Sequence, residues 1–129
     1  MAEGDTLANA VVGALAAAIA GAVVGPIGPL IGGAVAGYLD GGARSDGVRV
    51  GALAGLLSLI PGTLFGALVL TALGVIGFGF VVDPSAFLAV GAFGVVFVAF
   101  ALVIATLTTA ALGALGGWVG NYLKYDADL

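Results

Sequence analysis

Three stretches of this chain contain no Asp, Glu, Lys, Arg or His: Leu7 to Leu39, Val50 to Val82, and Ser85 to Leu123. A small soluble globule leaves a large share of its chain in water, so a domain of this length cannot hide that much apolar surface. Uninterrupted apolar runs longer than about 18 residues read instead as membrane spans. The expected fold is therefore all-α: a single polytopic transmembrane domain, a bundle of about four helices in contact with a lipid bilayer.

Composition narrows the chemistry. The chain is 62% hydrophobic, against roughly 45–50% for ordinary soluble domains. Its other excess is Gly, at 24 of 129 residues, which fits helices packed closely through small side chains. It has three basic residues, Arg44, Arg49 and Lys124, and a net charge of −4. Nucleic acid is not an expected partner, because phosphate binding needs clustered Lys and Arg. With no Cys and no His, disulfides, the usual zinc sites, His-ligated haem and Cys or His nucleophiles are excluded. No nucleophile–base pair, carboxylate pair, phosphate-cradling loop or metal cluster is recognisable, so neither enzyme activity nor a cofactor is expected. Glu3 and Asp5 stand where a secretory signal would carry positive charge, so the start does not read as a signal peptide. The acidic ends and scarce Lys suit a high-salt proteome, where carboxylates hold water once salt has screened other charges. A GC-rich genome would give the same Ala, Gly and Val bias.

Helix boundaries follow from the breakers. Gly25-Pro26-Ile27-Gly28-Pro29 interrupts the first apolar block, since Pro removes a backbone donor and pushes its predecessor out of helical geometry. Helices are expected over about 7–24, 30–42, 48–80 and 85–123, with a polar loop over 40–49. A helix beginning at Leu30 reaches only about 15–20 Å, short of the ~30 Å hydrocarbon core. Pro61-Gly62 either kinks one long span or divides it into two. Asp83 before Pro84 reads as a helix start.

Basic residues mark the cytoplasmic side of a membrane protein. Arg44, Arg49 and Lys124 are the topology markers, placing the 40–49 loop and the C-terminus of a multi-pass cell-membrane protein in the cytoplasm. Tyr38, Trp118, Tyr122 and Tyr125 form a matching aromatic belt. The N-terminus lies on that side if the break at Pro26 is a hairpin, and opposite if the block crosses once as a bent rod. The sequence also echoes itself. Gly32-Gly33-Ala34-Val35-Ala36-Gly37-Tyr38-Leu39 resembles Gly116-Gly117-Trp118-Val119-Gly120-Asn121-Tyr122-Leu123 in its Gly-Gly, Val and Tyr-Leu positions. Either both segments simply end a Gly-packed helix at an interfacial Tyr, or they form a parallel repeat.

Small residues recur every four positions at Gly13, Ala17, Gly21 and Gly25, at Gly33, Gly37 and Gly41, and at Gly113 and Gly117. Spaced so, they share one helix face, and two backbones can approach there in the manner of a glycine zipper. They are candidates for packing within one bundle or for a homo-oligomer seam. Thr71, Thr106, Thr108 and Thr109 are either self-satisfied by carbonyls one turn back or lumen-lining groups of an oligomeric pore. Asp40, Arg44, Asp46 and Arg49 are close enough in sequence to pair with one another in the loop.

The run Pro29-Leu-Ile-Gly-Gly-Ala-Val-Ala-Gly-Tyr-Leu-Asp-Gly-Gly42, the segment Ser45 to Leu56, Ile60-Pro61 and the ending Leu115 to Leu123 resemble a family of small multi-span membrane proteins from halophilic archaea. That resemblance implies a membrane protein from such a setting, of unknown function, and transfers no catalytic or binding residue. The expected role is structural or assembly: a small membrane component associating with itself or a larger membrane partner. The alternatives are an oligomeric pore or channel-like protein, or an accessory subunit of a transporter.

Overall fold

The computed structural model describes residues 5–78 and 84–127. These form α1 (Thr6–Val24), a 3-10 turn (Gly25–Ile27), α2 (Gly28–Asp40), α3 (Arg44–Phe78) and α4 (Pro84–Tyr125). Three helical segments are long and apolar enough to cross a membrane: Thr6–Asp40, Arg44–Gly74 and Leu88–Tyr125. The expected cap at Asp83 and the end of the helix near residue 80 lie outside the described residues.

The first segment is not a rod. Gly25 adopts φ 71° and ψ −133°, a left-handed conformation that costs a glycine little, and the chain turns back. Pro26 and Pro29 sit in the first positions of the 3-10 turn and of α2, where a missing N–H breaks no helical bond. Helix α2 therefore begins at Gly28, before the position expected from sequence. The register shows an antiparallel hairpin. A Cβ added at Gly28 would meet Ala17 and Gly21, one at Gly32 would meet Gly13 and Ala17, and the Asn9 side chain reaches Asp40.

The expected loop over 40–49 is cut to residues 41–43. Asp46 accounts for the difference: its Oδ2 accepts the Ala43 N–H at 3.0 Å. That is the reaching-back half of a capping box, and it lets helix α3 start at Arg44. Gly41 and Gly42 have φ 71° and 73°, so α2 ends in two left-handed residues. Helix α3 continues through Pro61 without a break. The ring costs the Leu57 carbonyl its helical N–H partner, while nearby hydroxyls bond to other carbonyls of the same helix, Ser58 to Gly55 and Thr63 to Ile60.

Helix α4 runs parallel to α2 and antiparallel to α3. Along α2, Cβ atoms at Gly33 and Gly37 would fall on the backbone of Gly113 and Gly117, so positions rise together. Along α3, Gly47 faces Gly117 and Asn121, Gly51 faces Gly113 and Gly117, and Gly55 faces Thr109 and Gly113, so positions run oppositely. The two echoing segments are thus neighbouring helices ending at the same end of the bundle.

Burial is confined to that end. Ala10, Ala36, Val50 and Ala54 form the apolar core, with Leu57 partly buried against it. From Leu56 to Leu112, no residue whose side chain is described is buried. Leu64, Phe65, Leu68, Phe93, Phe97 and Phe100 are all exposed. The chain therefore has a compact base, where the α1–α2 hairpin meets α3 and α4, and an uncovered apolar remainder of α3 and α4.

Candidate functional site: the polar end of the base

The polar groups of the base gather where the 41–43 turn lies beside the end of α4. Asn121 is the centre. It is 2% exposed, and its amide nitrogen donates towards the carbonyls of Gly41 and Gly42 at 3.2 Å and Ala43 at 3.4 Å. These carbonyls follow the end of α2; Gly41 is buried while Gly42 and Ala43 are exposed, and a buried carbonyl without a partner is costly. Tyr125 closes the same turn by accepting the Gly42 N–H at 3.0 Å. On the far side, the Asn9 amide donates to Asp40 Oδ1 at 3.1 Å. Each element of the base thus contributes a side chain or carbonyl to one polar layer.

Aromatic and cationic side chains cover that layer. The Arg44 guanidinium lies 6.0 Å from the Trp118 ring centre and 5.9 Å from that of Tyr122, and the two rings stack 6.1 Å apart. Arg44 also pairs with Asp126 at 2.9 Å. Lys124 lies 5.9 Å from the Tyr38 ring and 5.7 Å from the Tyr125 ring. Pairing of Arg44 with Asp40 or Asp46, within reach along the sequence, gives way to this tertiary contact: Asp40 holds Asn9, and Asp46 caps α3. Side chains of the Arg44–Asp126 pair are 55% and 44% exposed, and such pairs contribute about 0–1 kcal/mol. Asp126→Asn is expected to lower stability by no more than about 1 kcal/mol, less in high salt, as read from denaturation in mixed detergent.

The sequence candidates divide into groups. Gly33, Gly37, Gly113 and Gly117 come together on the facing surfaces of α2, α3 and α4, and Gly13 and Ala17 face α2. Gly25 and Gly41 are helix-ending residues with positive φ. A Cβ at Gly21 would meet nothing within 4 Å. The hydroxyls of Thr71, Thr106 and Thr109 donate to the carbonyls of Ala67, Leu102 and Ala105 in their own helices, and Thr108 is exposed on α4. Arg44 and Lys124 share the polar end, and Arg49 is exposed on α3 just beyond it. Sequence reading missed Asn121. Its signal was visible: an amide in an otherwise apolar helix, one residue before an interfacial Tyr.

No group of three or more metal-ligating side chains occurs among the described residues. What the arrangement supplies is structural chemistry: amide donors for orphan carbonyls, and aromatic and cationic groups at the edge of apolar helices. No curated protein and no solved structure matches the chain. Residues 7–123, which span the hairpin, the turn, Asn121 and both long helices, match a family of unknown function, DUF5518, and the chain belongs to that family.

Proposed function

We propose that this is a small multi-pass membrane protein with a structural role, associating with itself or with a larger membrane partner. The observation that carries the reading is the contrast between base and remainder. The base consumes its small residues internally: Gly33, Gly37, Gly113 and Gly117 press on this chain's own backbone. Without water to drive association in lipid, such close approach gains dispersion and weak Cα–H···O contacts. Helices α3 and α4, by contrast, contain 35 and 42 residues, about 52 and 63 Å at 1.5 Å per residue. A hydrocarbon core is about 30 Å thick. Such excess is relieved by tilt or by helix association. Gly66, Gly91 and Gly94 lie on the uncovered portion with open space before them, so another helix can approach closely there. Association thus uses the outer halves of α3 and α4 rather than the glycine faces of the base.

Orientation follows from the basic residues. Arg44 and Lys124 share one end, and the hairpin brings Asn9 to it as well. The positive-inside rule places that end in the cytoplasm. The structural reading is preferred to the pore because the hydroxyls of Thr71, Thr106 and Thr109 are turned to their own helices. Copy number in lipid nanodiscs tests it. Two or more copies are expected, with Phe93→Ala combined with Phe97→Ala shifting the population several-fold toward single chains. A lone chain with no partner recovered from its membrane, or unitary conductance steps from reconstituted protein, would contradict it.

A further inference from the structure

The α1–α2 hairpin is shorter than the membrane it enters. Helix α2 has 13 residues, about 20 Å at 1.5 Å each. It ends among the aromatic side chains of the polar end: a Cβ at Gly120 would meet Tyr38, and one at Gly41 would meet Tyr125. Such side chains sit at headgroup level. The 25–29 turn therefore stands about 10 Å short of the far boundary of a ~30 Å hydrocarbon core, and tilt only shortens its reach. Its backbone is not satisfied for hydrocarbon. The last four carbonyls of a helix have no partner within it. The Gly25 N–H donates to the Gly21 carbonyl, but Pro26 has no N–H to offer Ala22, four residues back. Residues 21–29 carry no polar side chain to substitute. Residues 22–27 are all exposed, and a Cβ at Gly25 would meet nothing within 4 Å. The 41–43 turn, by contrast, is bonded by Asn121 and Tyr125.

We propose that water covers the 25–29 turn, drawn into the leaflet away from the basic residues, so that the hairpin indents the bilayer on that side. The inference rests on the membrane-spanning reading and the orientation above. Irregular backbone at hydrocarbon depth persists only where protein buries it or a water-filled space adjoins it. This chain does not bury the turn. A second copy laid over it through the flank of α3 or α4 would bring no backbone donor, because N–H groups inside a helix already bond to carbonyls one turn back. Water brings donors to the orphan carbonyl. A bilayer accommodates a segment shorter than itself by thinning, and the long helices α3 and α4 stand beside the hairpin, so the thinning is confined to the hairpin's flank.

Labelling by a membrane-impermeant sulfonated maleimide tests this, in vesicles of known sidedness, with single-Cys variants of a chain that has no Cys of its own. Ile27→Cys lies in the turn, at a position 52% exposed. Leu107→Cys is the control. It is 67% exposed on α4 and about 21 Å along the helix from Asn121, a similar depth without a break in the backbone. Ser45→Cys, exposed at the start of α3, marks the face of the basic residues. Ile27→Cys should react from the opposite face, about ten-fold faster than Leu107→Cys. Val24→Cys, also exposed, is the second probe if Ile27→Cys is not recovered in membranes. Protection of both turn probes to the level of Leu107→Cys would overturn the proposal, because the turn would then be dry and covered by a partner. Labelling of the turn from the Ser45 face would overturn it too, as would Leu107→Cys reacting as fast as the turn. Failure of the membrane reading is separate: it would show as a chain washed from the vesicles by alkaline carbonate, whereas an embedded chain with a protected turn overturns only this inference.

Discussion

Gly117→Ala is expected to destabilise the base by about 3 kcal/mol, the upper part of the range for overpacking. Gly117 lies where α4 meets two neighbours at once. A Cβ there would fall on the Gly47 carbonyl and close to Gly51 of α3, and its own backbone is what a Cβ at Gly37 of α2 would meet. These obstacles are main-chain atoms, which cannot rotate aside as a flexible side chain can. Helix propensity works the other way, since Ala is favoured over Gly by about 0.8–1.0 kcal/mol in a helix interior, and the expected loss is net of that gain. An internal control separates the effects: Gly91→Ala lies in open space and should be neutral or stabilising by up to about 1 kcal/mol. Sodium dodecyl sulfate titration followed by fluorescence of the single tryptophan, Trp118 at the polar end, reads both. Equal responses of the two variants would remove the account of Gly117.

Asn121→Asp is expected to cost about 3–5 kcal/mol, the scale of an uncompensated buried charge. The amide donates towards three carbonyls around the 41–43 turn. A carboxylate has nothing to donate and would face those oxygens with a negative charge in a nearly closed site. Asn121→Ala removes the donor without adding charge, and should cost about 1–3 kcal/mol, the desolvation penalty of the buried Gly41 carbonyl left unpaired. Unfolding of Asn121→Asp compared with that of Asn121→Ala checks this. A defect equal in both variants would mean that Asn121 serves only to fill space.

Much of the architecture is legible in local chemistry. Two Pro flanked by Gly at residues 25–29 mark a break, and the structure makes it a reversal because Gly25 can take a positive φ and the small faces of α1 and α2 can then meet. Pro61 carries the same kind of signal without stopping its helix. There the ring removes one hydrogen bond, which α3 tolerates as it continues between flanking apolar stretches. The loop is shorter than expected because Ser45, Asp46 and Gly47 are turn formers in isolation, whereas Asp46 in fact caps the helix that begins at Arg44. Small residues at four-residue spacing reveal a face but not its partner. Nothing in Gly33 or Gly113 taken alone says that they oppose each other across parallel helices. The candidate site was least legible for the same reason. Asn121, Tyr125 and the 41–43 turn lie about 80 positions apart in sequence, and only the packing of α2 against α4 joins them.

The most direct measurement is a disulfide test of the fold-back that assembles the base. The chain has no Cys, so Asn9→Cys combined with Asp40→Cys gives a clean pair at side chains that touch at 3.1 Å in the hairpin. A short bis-methanethiosulfonate reagent, which joins neighbouring thiols without requiring the strict geometry of a direct disulfide, should give an intramolecular crosslink in membrane vesicles, seen as a mobility shift reversed by reductant. If residues 6–40 instead crossed as one straight helix, the same positions would stand about 46 Å apart. No intramolecular crosslink would then form, and both the base and the shared polar end would be contradicted.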